Sequence, residues 1–433
     1  MKIRIIAIIT LILAGILVTV SFTTQDNKGE EEYQTYLAVA RDNASRGIPY
    51  TSAVNYRAAF ALRNEDESIY REYLEQLQLL EDGQYETALK DYVNLYPQSQ
   101  QAYEDLCTYY YEVENYKKVI DVALSAREAQ LATEKVKNYY LECAYKYRVI
   151  RSDLQEAQSY LGNVALIKQK DMYGYAEDSG YIYLLPVFEQ AGFMMSDAAA
   201  AIVDGEWCMI NKKGYVVAKP SKKVDFMSTL AGGRARVAIG GKYGFVTNNL
   251  KVPDTLPYDM ASNYKNKVAA VCQNGKWALI GDDGSKITEF VFDDVLLDEF
   301  DTCINNGVIF VKSGEKYYMV NSLGEKICET GFDDARPFAG EYPAAVCVNG
   351  KWGFVDATGA MVIEPKYDDA RSFNIGLGGV CVEGKWGFIT TGEEFRIEPT
   401  FYDCKTFSSN GILAVQEEEG SMWEYIKLLV YER

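Results

Sequence analysis

Three pairs of adjacent aspartates recur at one repeat position in the second half of this 433-residue sequence and are its clearest candidates for chemistry. Neighbouring carboxylates can bind a divalent cation, or they can divide the acid and base roles of a hydrolysis between them. They are Asp293-Asp294, Asp333-Asp334 and Asp368-Asp369. The pairs lack the alternating D-x-D-x-D spacing of a calcium loop, and a loop aspartate commonly accepts hydrogen bonds from its own turn. We therefore predict no metal site and no cofactor there.

The residue types that are missing restrict the chemistry further. The chain contains no histidine, which removes Ser-His-Asp and Cys-His triads and His-ligated zinc. It also contains no phosphate-binding loop, nucleophile elbow, dinucleotide fingerprint or HExxH motif. The formal net charge of −18 offers no basic field to a nucleic acid. We predict a protein that is not an enzyme, with no catalytic residues and no nucleic-acid partner.

Nine cysteines form an odd set without any CxxC spacing. Three of them, Cys272, Cys347 and Cys381, occupy the same position of a recurring apolar strand. A cysteine that recurs inside an apolar run is typical of a small buried hydrophobic residue. We predict free, buried thiols rather than disulfides.

The N-terminal residues have the pattern of a targeting signal. Lys2 and Arg4 precede an uncharged apolar run of 18 residues from Ile5 to Phe22. As a helix this run would span about 27 Å, close to the hydrocarbon thickness of a bilayer. No A-x-A-like cleavage site follows it, and acidic residues come next. We predict a signal anchor over residues 1–25, with a cleaved signal as the alternative. The protein would then be a single-pass cell-membrane protein whose bulk is extracytoplasmic.

Between residues 31 and 151 the apolar and aromatic residues recur at spacings of three and four, the period of a helix. One helical sequence pattern occurs three times, with a tyrosine at the equivalent position of each copy. These tyrosines are Tyr50, Tyr85 and Tyr116, which are 35 and 31 residues apart. The stretch "SDLQEAQSYL" near Leu154 is interpreted as a degenerate fourth copy. A period near 34 with two helices per unit indicates stacked helical repeats.

The middle copy resembles a tetratricopeptide repeat (TPR). The residues that carry this resemblance lie where the family places its inter-helix turn and closing proline. They are Gly83, Tyr85, Ala88, Leu95 and Pro97. The resemblance implies a concave surface that holds a peptide or a partner helix. By analogy with the family, the inward face of one first helix would carry Tyr110 and Glu114, with Lys117 just beyond.

In the second half an aromatic residue recurs at spacings of 36, 34, 40, 35, 34 and 37 residues. These repeat aromatics are Trp207, Tyr243, Trp277, Tyr317, Trp352, Trp386 and Trp423. Short strand-like runs and turn residues lie between them and predict three or four strands per unit. The "GKWGF" openings resemble the WG-repeat family, over roughly Tyr183 to Arg433. We interpret the aromatic ring as a filler between units and the following glycine as space for a close backbone.

Each repeat has a first half, which contains the repeat aromatic, and a second half, which contains an aromatic-aspartate step such as Tyr367-Asp368. The array begins with a second half and ends with a first half. It therefore contains seven of each, offset by half a repeat. A ring whose last blade contains both chain ends needs such an offset. We predict an N-terminal α-solenoid followed by a closed seven-bladed β-propeller, with an open β-solenoid as the alternative. The predicted domains are the signal anchor at 1–25, TPR-like repeats at 26–165, a linker at 166–182 and the WG-repeat β domain at 183–433.

Because neither the helical half nor the β half of the chain contains a recognisable catalytic motif, we expect a non-catalytic scaffold. It would bind a protein or peptide at the bacterial cell envelope. One alternative is a binder of glycans or cell wall that uses exposed aromatic and acidic residues. Buried repeat aromatics would weaken that alternative. Another alternative is an envelope hydrolase, which would need two convergent carboxylates at nonrepeating positions.

Overall fold

The computed structural model describes residues 28–80, 83–340 and 343–431, and the chain divides into two units between Ala144 and Tyr145. Seven helices form the described part of the first unit. They are α1 (28–45), α2 (Pro49–Leu62), α3 (Glu67–Gln78), α4 (Gln84–Leu95), α5 (Gln100–Glu112), α6 (Tyr116–Glu128) and α7 (Glu134–Ala144). The predicted signal anchor at 1–25 lies outside the described residues. None of the helices described is both long enough and apolar enough to cross a membrane.

The helices begin at side chains that the sequence supplies for capping. Asp66 accepts a hydrogen bond from a backbone N–H at the start of α3, Ser99 does so at α5, and Asn115 at α6. Such caps satisfy N–H groups that have no partner within the helix. From α2 to α7 each helix packs against the next, with Tyr56 and Tyr92 among the fully buried side chains. The helical period predicted from the sequence is confirmed up to Ala144.

The second unit begins with β1 (Tyr147–Leu154), and its described residues form eight small antiparallel sheets, which we number in chain order. Sheet 1 contains β2 (Glu156–Ala157), β3 (Val164–Gln169), β4 (Met172–Glu177) and β5 (Ile182–Phe188). Sheet 2 contains β6 (Ala198–Val203), β7 (Glu206–Asn211) and β8 (Val216–Ala218). Sheet 3 contains β9 (Phe226–Met227), β10 (Arg234–Ile239) and β11 (Lys242–Thr247). Sheet 4 contains β12 (Met260–Ala261), β13 (Val268–Gln273) and β14 (Lys276–Gly281).

The remaining four sheets follow the same plan. Sheet 5 contains β15 (Asp294–Val295), β16 (Ile309–Ser313) and β17 (Lys316–Val320). Sheet 6 contains β18 (Asp334–Ala335), β19 (Ala344–Val348), β20 (Lys351–Val355) and β21 (Met361–Tyr367). Sheet 7 contains β22 (Asp369–Asn374), β23 (Leu377–Val382), β24 (Lys385–Ile389) and β25 (Phe395–Phe401). Sheet 8 contains β26 (Asp403–Cys404), β27 (Ile412–Gln416), β28 (Trp423–Leu428) and also β1, and a short 3-10 helix spans Leu429–Tyr431.

Sheet 8 is built from both ends of the unit. Strand β1 pairs antiparallel with β28, so that Tyr147 lies opposite Leu428 and Val149 opposite Ile426. The fourth helical copy that we predicted near Leu154 is therefore wrong, because the open edge of β28 supplies backbone partners and this pairing overrides the local helical pattern. The domain limits also need correction. Strands β1 to β4 occupy residues that we assigned to helical repeats up to 165 and to a linker at 166–182.

The number of repeat units is eight and not seven. The missed unit carries Tyr173 and Gly174, and it lies 34 residues before Trp207. In sheet 1 Tyr173 lies opposite Phe188, just as Trp352 lies opposite Tyr367 in sheet 6. The regular spacing alone could have identified this copy, whose tyrosine replaces the tryptophan of the motif.

The hydrophobic clusters lie between consecutive sheets rather than within single sheets. Trp386 of sheet 7, for example, packs with Ile426 of sheet 8. On the other side of sheet 8, Tyr425 packs with Ile167 of sheet 1. Every sheet shares one cluster with the sheet before it and another with the sheet after it. Each repeat therefore depends on its neighbours for burial, as in other repeat architectures.

The glycine of the Trp-Gly motif has the role that we predicted. A Cβ atom on Gly353 would lie 2.4 Å from the carbonyl oxygen of Ile363 and 2.7 Å from the backbone nitrogen of Pro365. A Cβ atom on Gly387 would lie equally close to the equivalent backbone atoms of β25. The fourth strands bulge at this point and approach the motif closely. Sheet 4 has no fourth strand of this length, and Ala278 takes the position of the glycine there.

Candidate functional site

One segment of the second unit departs from the repeat pattern. Residues 296–302, which we call the crossing segment, leave sheet 5 after β15 and return towards β16. They explain why Trp277 and Tyr317 are 40 residues apart when the other spacings are 34 to 37. An insertion in a single repeat is typical of a functional loop carried on a regular scaffold.

The crossing segment contacts sheets that are distant from its own along the chain. A carboxylate oxygen of Glu299 accepts a hydrogen bond from the backbone N–H of Ser159, next to β2 in sheet 1, at 3.3 Å. The ring of Phe300 packs edge-on against Phe193, which precedes β6 of sheet 2, with 4.8 Å between the ring centroids. These contacts attach the segment to sheets 1 and 2, which are distant from sheet 5 in the order of the repeats.

A buried arginine fixes the end of the segment. Arg236 of sheet 3 has a side chain that is only 8% exposed, and it forms an ion pair with Asp301. Its guanidinium also donates to the side-chain oxygen of Asn263 at 2.9 Å and to the carbonyl of Ala261 at 2.7 Å. The backbone N–H of Asn263 donates to the carbonyl of Asp301 at 2.7 Å. A charge buried to this extent requires such partners, so the segment is firmly attached to sheets 3 and 4.

Two cavities lie on either side of the crossing segment. The larger cavity measures about 550 Å³ and is lined by loops of sheets 1 and 4 to 8. The smaller cavity measures about 480 Å³ and is lined by residues of sheets 1 to 4 together with Glu299 and Asp301. Both volumes fall in the range of small-molecule sites, roughly 300–1,000 Å³. The glutamate of the segment, Glu299, borders both cavities.

The two cavities carry opposite excesses of charge. Four cationic and two acidic residues line the larger one, namely Lys265, Arg336, Arg371, Lys405, Asp298 and Glu299. Two cationic and four acidic residues line the smaller one, namely Lys168, Arg236, Asp171, Glu189, Glu299 and Asp301. The excess of cations in the larger cavity stands out in a chain whose formal net charge is −18.

Glu299 is the titratable group at the boundary between the cavities. Glu299 is exposed by its surface area, and it lines both cavities. Protein crowds it on its other sides and removes part of its hydration, which raises the pKa of Glu299, whereas the hydrogen bonds from Ser159 and the charge of Lys405 act in the opposite direction. A paired-carboxylate mechanism would need a second acid free to join it. Asp298 accepts hydrogen bonds from Thr302 and Asn305 instead.

The structure places the three predicted partner-binding residues in different surroundings. Tyr110 is only 3% exposed, and its hydroxyl donates to Glu86 at 2.9 Å. Glu114 is exposed in the turn between α5 and α6, where its φ of 56° is left-handed. Lys117 forms an ion pair with Asp121 on its own helix. The three side chains do not form one accessible surface, because packing between the helices covers the tyrosine ring.

The repeat aromatics lie inside the array. Five of the seven are buried, namely Trp207, Trp277, Tyr317, Trp352 and Trp386, and the other two, Tyr243 and Trp423, are half-buried. The filling role predicted for these rings agrees with this burial. None of the seven exposes a full face to solvent, which weakens the glycan-binding alternative.

The aspartate pairs take part in contacts within the repeats. Asp293 accepts a hydrogen bond from Lys276 at 2.6 Å and another from the backbone N–H of Gly314 at 2.9 Å. The hydrogen bond from Lys276 is the main reason why the pKa of Asp293 is lowered. Asp333 and Asp368 have equivalent lysine partners. Across the described ranges, no group of three or more Cys, Asp or Glu side chains is arranged to hold a metal ion.

The recurring cysteines are buried as predicted. Cys272, Cys347 and Cys381 each lie opposite the repeat aromatic of their own sheet. Burial raises the pKa of all three thiols, which makes the reactive thiolate form scarce at neutral pH. These residues therefore pack like small apolar side chains.

Small antiparallel sheets that each carry a buried aromatic and pack on their neighbours define a β-repeat protein. The particular repeat is identified by the WG containing repeat family, whose model matches residues 258–277, 319–352, 352–386 and 386–420. The C-terminal region therefore contains WG repeats, as the Trp-Gly openings predicted. No curated protein matches the chain.

Solved structures match the chain at low similarity. A crystal structure of the eukaryotic initiation factor has 14% identity and a TM-score of 0.44, over 66% of this chain and 88% of that one. KlHsv2 with loop 6CD replaced by a Gly-Ser linker has 7% identity and a TM-score of 0.37, over 64% of this chain and 100% of that one. Both are propeller-like folds. At these scores they carry no argument about function.

Proposed function

We propose that the protein is a non-catalytic binding scaffold, anchored in the cell membrane by its N-terminal apolar run, with both units extracytoplasmic at a bacterial cell envelope. In this proposal the helical unit recruits a protein or peptide through TPR-like repeats, and the sheet unit is a closed eight-bladed propeller. The apolar run from Ile5 to Phe22, preceded by Lys2 and Arg4, supports the anchor.

The closed ring is supported by the order of the sheet contacts. Eight sheets share eight hydrophobic clusters, and one of these joins sheet 8 to sheet 1. An open array of eight sheets would have only seven such contacts and two exposed ends. The pairing of β1 with β28 further removes a free strand edge, which isolated sheets otherwise have to protect.

The TPR-like arrangement is supported by the helical unit alone. Helices of 11 to 14 residues follow one another from α2 to α7 and pack in sequence. Gly83 immediately precedes α4, and Pro97 follows its end, so the two residues mark the turns that the family resemblance implies.

The observation that carries the recruiting role is an open groove beside α2 whose lining includes exposed apolar side chains. Tyr50 is 66% exposed and Val54 is 49% exposed, one helical turn apart. With Arg57, Leu77 and Leu80 they line a cavity of about 130 Å³. This volume suits one apolar side chain of a bound protein or peptide, and the guanidinium of Arg57 lies at the same cavity. Adjacent exposed apolar side chains are a common feature of interaction sites.

Val54→Asp is expected to abolish retention of the protein partner, because the new carboxylate would be desolvated in the groove. A loss of about tenfold or more in affinity corresponds to a buried unpaired charge. The matched control is Leu62→Asp, since Leu62 lies on the same helix with a similar exposure of 45% but outside the groove. Affinity capture from native membranes with the full chain and both variants as baits provides the measurement.

A protein retained by the parent chain and by Leu62→Asp, but lost from Val54→Asp, would support the proposal. Equal retention by both variants would assign recruitment to another surface. Retention of wall polysaccharide without any protein would favour the glycan-binding alternative over the scaffold.

A further inference from the structure

The basic wall of the larger cavity is produced by the repeat itself. Sheets 6, 7 and 8 each carry a cationic residue at the third position of the sequence Asp-Ala-Arg or Asp-Cys-Lys. Each cation lies over the repeat aromatic of its own sheet, with distances to a ring centroid between 4.4 and 5.3 Å. The pairs are Arg336 with Trp352, Arg371 with Trp386, and Lys405 with Trp423. The remaining sheets have uncharged residues at this position.

Carboxylates of the following sheet compensate two of these cations. Arg336 donates to both oxygens of Asp369, at 2.8 and 3.0 Å. Arg371 donates to Asp403 at 3.3 Å. Each aspartate belongs to the next sheet in the array, so the ion pairs also join neighbouring repeats.

The third cation lacks this compensation. By the same rule Lys405 would pair with Glu156, the equivalent acid of sheet 1, but Glu156 accepts a hydrogen bond from Lys168 at 2.8 Å. Among the residues that the structure describes, no carboxylate forms an ion pair with Lys405. Its ammonium group lies over the Trp423 ring, and its charge acts on Glu299. Lys405 is also half-buried, so solvent compensates its charge only in part.

We propose that the larger cavity is a binding site for a small polyanion that carries carboxylate or phosphate groups, with Lys405 as its principal charged contact. The cavity volume of about 550 Å³ admits a small molecule, and the ligand would supply the acceptor that Lys405 lacks. The hydroxyl group of Thr406 lines the same wall and can donate a further hydrogen bond. This site lies in the sheet unit and does not depend on the groove beside α2.

The test is isothermal titration calorimetry on the purified full chain at low salt, with citrate as the carboxylate probe and pyrophosphate as the phosphate probe. Lys405→Gln is expected to weaken binding of the preferred probe by about tenfold or more, the effect of losing one charge-assisted contact. At a pH above the raised pKa of Glu299, Glu299→Gln is expected to tighten binding by about threefold or more, because it removes a like charge from the cavity wall. Lys385→Gln is the matched control, since it makes the same change of charge on the exposed surface of β24.

Opposite effects of the two cavity variants, together with parent-like binding by Lys385→Gln, would establish the site, and the stronger probe would identify the anion chemistry. The absence of binding heat with both probes would overturn the proposal. Equal weakening by Lys405→Gln and Lys385→Gln would also overturn it, because the anion would then respond only to net charge. Thermal melts of all variants check folding, and a failure of Lys405→Gln to fold leaves Glu299→Gln as the deciding comparison.

Discussion

Tyr425→Ala is expected to lower the free energy of unfolding of the sheet unit by about 3–5 kcal/mol, as for other buried aromatic truncations. Tyr425 lies on β28 and is fully buried where sheet 8 meets sheet 1. Its ring packs edge-on against Tyr160, with 4.9 Å between the centroids, and its hydroxyl donates to the carbonyl of Gln158 at 2.5 Å. The substitution removes packing and leaves that carbonyl without its donor, at the contact that joins the two ends of the unit.

Urea denaturation of the full chain, followed by tryptophan fluorescence, measures this effect. Tyr425→Phe is the control, because it keeps the ring and removes only the hydrogen bond, at a cost of about 1 kcal/mol. If Tyr425→Ala lowered the free energy of unfolding by less than about 1 kcal/mol, the effect would be far below the range for buried aromatic residues. Such a result would mean that sheets 8 and 1 do not pack together.

Gly353→Ala is expected to destabilise sheet 6 by about 1–3 kcal/mol or more, through overpacking. The added methyl group would meet backbone atoms of Ile363 and Pro365 at distances no real Cβ contact shows, and these atoms cannot rotate away as the end of a side chain could. Strand β21 would have to move outward and would lose part of its pairing with β20. The melting temperature and the urea midpoint of the variant provide the measurement.

The same motif supplies an internal control for this prediction. Ala278→Gly, at the equivalent position of sheet 4, creates the glycine of the motif where no long fourth strand requires it. We expect the entropic cost of glycine there, about 0.5–1 kcal/mol, together with about 0.8 kcal/mol for the loss of the buried Ala278 methyl group. Sheet 4 would then be destabilised by removing a methyl group and sheet 6 by adding one. If Gly353→Ala left stability unchanged or raised it, the close approach of β21 would not be the reason for the Trp-Gly motif.

Periodicity predicted most of the fold, because each element obeys a local rule. The 3.6-residue period identified the helices up to Ala144, and the recurrence of aromatic residues identified the sheets from Trp207 onward. The errors concern residues whose partners are remote in sequence. Strand β1 pairs with β28, which lies at the other end of the unit, and no local pattern near Leu154 records that partner. Tyr173 was missed because its repeat lacks both the tryptophan and the Gly-Lys dipeptide before it, whereas the copy at Tyr243 keeps that dipeptide.

The candidate site was less predictable than the fold. The crossing segment has no motif of its own, and its contacts with Ser159, Phe193 and Arg236 depend on how eight sheets are arranged. The only sequence signal was the spacing of 40 residues between Trp277 and Tyr317. The basic wall could have been noticed as well, since Arg336, Arg371 and Lys405 recur at one repeat position.

Hydrogen exchange of the β28 amides, Trp423 to Leu428, in the full chain tests whether the sheet unit is a closed ring. Strand β28 lies between β27 and β1, so closure places a partner on both of its edges. A closed ring predicts slow exchange at every amide of β28, comparable to that of β24, which lies between β23 and β25. Rapid exchange at the alternate amides that face β1 would show that β28 is an open edge, and it would contradict the closed ring.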